Sequence, residues 1–257
     1  MNKKFKKISS VALCAAMLTV VAPSVTSFAD SITPGKSVHA EYKSEKRKIT
    51  GTIDLSDYVL VEGVATTEDG NKIFKGNIVG EICSHDLIED AYQAYLKNFK
   101  GQTLLSGPAE NLVMFGAGYI EPFATLKLSL PEGAKIYKDA FLANSHSNTS
   151  AISKIYHRDG EAENILTIVF NLGTWNDYAT FFTNYEKERN DPSKTVRINI
   201  PFTYGLSGNT YSQGDIIGNV KAKGECKLYY GGRFKSFYKA PIVDINTRDF
   251  TKDILYK

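Results

Sequence analysis

Apolar and polar residues alternate with a period of two along most of this chain, which is the pattern of half-buried strands. Val196, Ile198 and Ile200 face one way and Arg197 and Asn199 the other. Leu126, Leu128 and Leu130 alternate with Lys127 and Ser129, and Val220, Ala222, Gly224, Cys226 and Leu228 alternate with Lys221, Lys223, Glu225 and Lys227. Strand character also marks 48–54, 58–66, 72–83, 112–120, 151–156 and 233–243, and the unbroken apolar run Ile165–Phe170 predicts a central strand covered on both faces. Val38, Ala40 and Tyr42 add a possible edge strand. Turn chemistry separates these runs at Glu68-Asp69-Gly70-Asn71, at Pro131-Glu132-Gly133 and at Gly231-Gly232, where a hairpin is expected.

Two segments switch to helical spacing. In Asp86–Phe99 the apolar positions are Ile88, Ala91, Tyr92, Tyr95 and Phe99, with Ser84 or Asp86 as the expected cap and Gly101 beyond the end. In the second, Thr174 and Asp177 have cap spacing, Trp175, Tyr178, Phe182 and Tyr185 follow the period, and Pro192 prevents continuation. About ten strands and two helices predict a mainly β protein: an antiparallel β-sandwich, one large or two small, decorated by two α-helices. The divisions expected are a signal segment at 1–29, a polar lead-in at 30–48, a β-rich first half at 49–130 and a β-rich second half at 131–257, each half with one helix.

The first 29 residues stand apart. Lys3, Lys4, Lys6 and Lys7 precede the apolar stretch Val11–Val25, and Ser27-Phe28-Ala29 places small residues where a signal peptidase reads. This segment resembles a Sec export signal of the Gram-positive type, which implies cleavage after Ala29 and a secreted, extracellular protein, released or held to the wall non-covalently. The stretch is too short to span a bilayer, and no later one reaches about 18 residues, so no integral membrane span is expected. Cys14 lacks the small residue before it that lipidation needs. The formal charge of +3 belongs to this segment: without its four lysines the remainder carries −1. Charge therefore makes no case for nucleic acid as a partner.

At 257 residues, 42% hydrophobic and 23% charged, the chain is globular rather than disordered. Cys83 and Cys226 remain beyond the signal. Export permits a disulfide between them, and two buried free thiols are the alternative. The search for chemistry is mostly negative. His39, His85, His146 and His157 form no metal-binding spacing, there is no nucleophile elbow, phosphate loop or dinucleotide fingerprint, and no metal or cofactor is expected. Cys83-Ser84-His85-Asp86 contains the types of a nucleophile and base, but adjacent residues seldom face each other, and packing with helix capping is the simpler reading.

Recognition has better candidates. Tyr229, Tyr230, Arg233 and Tyr238, with Phe234, Phe237 and nearby lysines, interleave aromatics and cations in a way that suits sugars or anionic polymers, though a plain edge hairpin shows the same pattern. Tyr204 and Tyr211 lie in a Gly- and Asn-rich loop of the kind used in adaptable recognition. The polar run Asn144–Ser150 is a weaker case, and Trp175 serves as a core anchor or a sugar platform. The leading expectation is a secreted adhesion-type binding protein for a cell-wall polymer, a cell-surface glycan or a host protein. The alternatives are a secreted hydrolase with a dispersed acidic site, and a membrane-associating toxin that deploys Leu112–Leu130.

Overall fold

The expected alternations become strands that pair over long sequence distances. The structure, a computed structural model, describes residues 41–43, 48–104, 107–108, 110, 113–117, 120–172, 177–206, 210–230 and 241–257, all within one unit, Pro34–Lys257. The signal-like segment and Val38–Ala40 lie outside the described residues. The first elements are β1 (Glu41–Lys43), β2 (Ile49–Ile53), β3 (Val59–Glu68), β4 (Asn71–Cys83) and α1 (Ser84–Asn98). Next come β5 (Thr103–Leu104), β6 (Gly107–Pro108), β7 (Met114–Phe115), β8 (Phe123–Ser129) and β9 (Ala134–Ile136). They are followed by α2 (Lys138–Asn144), β10 (His146–Ser147), β11 (Lys154–His157), β12 (Ile165–Asn171) and α3 (Tyr178–Glu188). The last strands are β13 (Thr195–Gly205), β14 (Ile216–Tyr230), β15 (Val243–Thr247) and β16 (Phe250–Leu255).

Nine strands form one sheet in the order β1-β2-β15-β14-β8-β12-β11, with β16 and β7 also paired to β14. Five form a second sheet, β10-β13-β4-β3, with β9 beside β13. The ladders are antiparallel except β15 on β2, which is parallel. The two sheets pack face to face, so the fold is mainly β and sandwich-like, as the alternation predicts. Leu126, Leu128, Leu166 and Ile168 of the large sheet meet Phe74, Ile78, Ile200 and Phe202 of the small one. Gly63 and Gly76 are paired in register, and a Cβ on Gly76 would stand 2.6 Å from the Phe202 ring. The Phe74 and Phe202 rings thus occupy the space these glycines leave. The β3–β4 hairpin closes as its sequence predicts: Glu68 pairs with Asn71, and Asp69 (φ 49°) and Gly70 (φ 79°) both take the positive φ of a two-residue turn.

A second core forms where the small sheet ends. β4 runs directly into α1, and α1 and α3 lie over Ile49, Leu228 and Val243 of the large sheet. The helices are joined by aromatic contacts, with ring centroids 4.5 Å apart for Tyr95–Phe182 and 4.5 Å for Phe99–Tyr178. α1 and α3 are the two expected helices. α2 is a third, missed because its seven residues bury only Phe141 and carry no side-chain cap.

Two local expectations change, and a third falls outside the described residues. Among the described residues of the run 112–120 the strand is β7, preceded by a bridge from Val113 to Asp177; the Gly116 amide then donates to the Ile120 carbonyl (2.9 Å), and a Cβ on Gly116 would stand 2.4 Å from the Phe123 ring. The expected turn at Gly231-Gly232 and most of the expected strand 233–243 lie in residues 231–240, outside the described set, on whose far side Val243 pairs with Leu228. The cap of α1 is neither Ser84 nor Asp86. Cys83 Sγ accepts the Asp86 amide (3.4 Å), while the Ser84 hydroxyl turns to Glu188 (3.1 Å).

Candidate apolar binding cavity

The inward face of the large sheet carries an unbroken apolar floor where the helices replace the small sheet. It is built from Ile49 and Ile53 of β2, Val243 and Ile245 of β15, Cys226 and Leu228 of β14, Ala124 and Leu126 of β8, and Phe170 of β12. Alternation brings these residues to one side, because only every second position of a strand faces the core. The roof comes from Leu87, Ile88 and Ala91 of α1 and Tyr178, Phe181 and Phe182 of α3, with Ile82 and Val196 from the ends of β4 and β13. Floor and roof do not close: a cavity of about 210 Å³ lies between them. Short side chains at Ala91, Ala124 and Ala151 border it, and a larger residue at any of them would occupy part of the space.

Of the polar residues at the cavity wall, Tyr178 and Thr247 are held by protein partners, and Thr125 lines it as well. The Tyr178 hydroxyl donates to the Ile242 carbonyl (3.4 Å), and burial keeps its phenol far above the ordinary range. Thr247 Oγ1 accepts the Gly224 amide (2.6 Å), Glu225 accepts from Lys227 (2.9 Å), and Asn246 donates to Asp244 (3.2 Å). Cys226 points inward, as the alternation predicts, and lines the cavity. Burial pushes its thiol up to about 12, so it stays neutral.

Two polar clusters fasten the helical roof. Glu188, at the end of α3, accepts the Ser84 hydroxyl, the Thr149 hydroxyl and the Ser150 amide, which joins α1, α3 and the segment before β11. Glu89 of α1 accepts from the Tyr185 hydroxyl (2.6 Å), Gln93 (2.7 Å) and Arg189, whose guanidinium lies 4.9 Å from the Tyr92 ring centroid. Burial opposes ionisation of Glu89, but the hydrogen bonds from Tyr185 and Gln93 and the charge of Arg189 outweigh it and hold the carboxyl below its ordinary value.

Cys83 and Cys226 are not bridged: both are free thiols, on different sheets, and each residue is half-buried rather than fully buried. The nucleophile–base arrangement is not assembled either. Cys83 is engaged as a cap and raised by burial to about 11, Ser84 is tied to Glu188, and His85 Nδ1 lies on the Arg189 carbonyl (3.1 Å). Of the Tyr candidates, Tyr204 is half-buried near the end of β13, and Tyr211 is half-buried with its ring stacked on Tyr256 at 5.8 Å. Tyr229, on the large sheet, is half-buried opposite Phe115, and Tyr230 is opposite Met114 in register. Tyr204, Tyr211 and Tyr229 are not among the residues that line the cavity. Arg233, Tyr238, Phe234, Phe237 and Trp175 lie outside the described residues. In the Asn144–Ser150 run, Asn148 is bonded to Ser193 and Thr195, and Thr149 and Ser150 hold Glu188. The cavity itself was not foreseen. Its one signal in sequence is the occurrence of alanine at inward positions of separate elements.

The fold thus defines a two-sheet β protein with a helical roof over part of the larger sheet. No family model and no curated protein matches the sequence. Among solved structures, the chain is similar to the T6 backbone pilin of serotype M6 Streptococcus pyogenes, described as a modular three-domain structure decorated with variable loops and extensions. The identity is 9% and the TM-score 0.29, and the match covers 81% of this chain but 37% of the pilin, so the chain spans little more than a third of that protein. It is also similar to AvmM, described as catalysing macrocyclization in alchivemycin A biosynthesis, at 8% identity and a TM-score of 0.20 over 84% of this chain and 95% of AvmM. At scores this low neither likeness bears on function. Among the described residues no helix is long and apolar enough to cross a membrane.

Proposed function

We propose that this chain is an exported binding protein whose ligand places an apolar group in the cavity beneath α1 and α3. The cavity is the observation that carries the reading. Among the described residues its lining is mostly apolar side chains, and covering apolar surface gains about 25 cal/mol per Å². Larger side chains would fill the space, so a function in which a ligand covers these walls gives the space a reason to persist.

Among the partners an exported sandwich protein meets, a bare sugar suits this cavity least. Its hydroxyls would need hydrogen-bond partners, and Tyr178 and Thr247 of the wall are already committed elsewhere. A wall polymer or host molecule bearing an apolar group fits better. The toxin alternative draws no support from the fold: β8 is paired on both sides, to β12 and β14, and releasing it would break both ladders and expose Leu126 and Leu128.

The test is titration of the purified protein with 1-N-phenylnaphthylamine, whose fluorescence rises in apolar surroundings. One saturable site is expected, weakened at least tenfold in Ala151→Phe and in Ala91→Leu, with folding checked by thermal unfolding. Equal titration curves for the wild type and both folded variants would move binding away from the cavity.

A further inference from the structure

We infer that the outer face of the large sheet is a second binding site, for a linear phosphate-bearing polymer held by Lys127, Lys221 and Lys223. It lies apart from the cavity and does not depend on it.

Alternation sets the place. Leu126 and Cys226 face inward to the cavity, so Lys127, Lys221 and Lys223 stand on the opposite face of the same two strands. All three are exposed. Lys127 of β8 and Lys223 of β14 are direct partners in the antiparallel ladder, and Lys221 lies two positions along β14 on the same face. Like charges directly opposite each other on a ladder repel. Lysine on an edge strand guards against pairing with another chain, but β8 and β14 are interior strands, so that use does not apply. Nor do acids of the protein balance the group. Among the described residues, the one carboxylate within 4.0 Å of the three amines is that of Asp249, 4.0 Å from Lys223. These two side chains are 69% and 70% exposed, so the pair is weak. The neighbouring acids are engaged elsewhere: Glu225 accepts from Lys227 (2.9 Å), Glu161 from the Thr167 hydroxyl (2.6 Å) and Asp253 from Asn219 (2.6 Å). An anion seated between the amines turns their repulsion into attraction.

The setting of the amines selects the kind of anion. On an open face a single ammonium–anion contact is worth little in water, so useful affinity needs several contacts along one chain. A planar carboxylate suits the guanidinium fork of arginine, whereas lysine serves phosphate as a point charge. The side chains opposite the lysines in register, besides one another, are Thr167, Ser129 and Thr251. None carries a ring, so the bases of a nucleic acid would find no stacking platform there. A polymer with phosphates along its backbone and no bases meets all of these conditions.

The experiment is calorimetric titration of the purified protein with sodium polyphosphate. Saturable binding is expected at about 50 mM salt, and three contacts at a slope of about −0.7 each should weaken it about 20-fold at about 200 mM. Lys127→Gln/Lys223→Gln should bind at least tenfold more weakly and show about a third of that salt slope. Its Tm without polymer should equal or exceed that of the wild type, because the cross-strand repulsion is gone. Lys135→Gln/Lys187→Gln removes the same charge from β9 and α3 and should bind as the wild type does, as should Ala151→Phe at the cavity. No saturable binding, or equal loss in the two lysine pairs, overturns the inference. So does tighter binding of poly-L-glutamate or of single-stranded oligothymidylate at equal charge, which would assign the face to a carboxylate polymer or to nucleic acid.

Discussion

At the residue scale, cysteine and glutamate do work that their types alone would not suggest. Cys83 caps α1 with a neutral sulfur, a weak acceptor where serine is among the preferred caps. Cys83→Ser is therefore expected to match or exceed the wild type in urea unfolding, by up to about 1 kcal/mol, while Cys83→Ala falls below it. Glu188 is buried and accepts from two hydroxyls and an amide. Glu188→Ala would leave those donors without their acceptor, at an expected cost of about 2–4 kcal/mol in the same measurement.

At the element scale, the junction of α1 and α3 links acid stability to the roof of the cavity. The folded carboxyl of Glu89 titrates lower than in the unfolded chain. Its contribution is therefore complete above the ordinary glutamate value of about 4.3 and is lost as pH falls through the lower folded value. Glu89→Gln should be about 2 kcal/mol less stable at pH 7, as hydrogen bonds to a charged group are worth about 1.5–3 kcal/mol. Its stability should also fall less steeply below pH 4.3, which denaturant titrations at several pH values would show. Within the small sheet, Gly76 is needed for close approach rather than for a turn. Gly76→Val would drive a methyl into the Phe74 and Phe202 rings and is expected to cost about 1–3 kcal/mol by thermal unfolding.

At the scale of the whole molecule, the two sequence halves interleave. β13 pairs with β4 along its full length, β14 with β8, and β15 with β2. Residues 49–130 alone would keep the β3–β4 hairpin but lack β13 beside β4 and both partners of β8. They are expected to give the circular dichroism of an unfolded chain, and a cooperative transition in that piece would show otherwise. The same interleaving builds the cavity, whose walls join Ile49 to Ile245 and Ala91 to Phe182.

Period-two alternation was enough to place β8, β13 and β14, strand character and a turn signal β4, an unbroken apolar run β12, and helical spacing α1 and α3, because burial imposes those patterns locally. The turn at Asp69-Gly70 was legible because its positive φ values demand those residue types. The thiol cap and the short α2 were not, since each is settled by packing against distant elements rather than by local pattern. Inward-facing alanines were visible as apolar positions. Whether neighbouring side chains would fill the space above them depended on which strands and helices met there, and tertiary pairing of β2, β15, β14, β8 and β12 beneath α1 and α3 decided that a cavity remains.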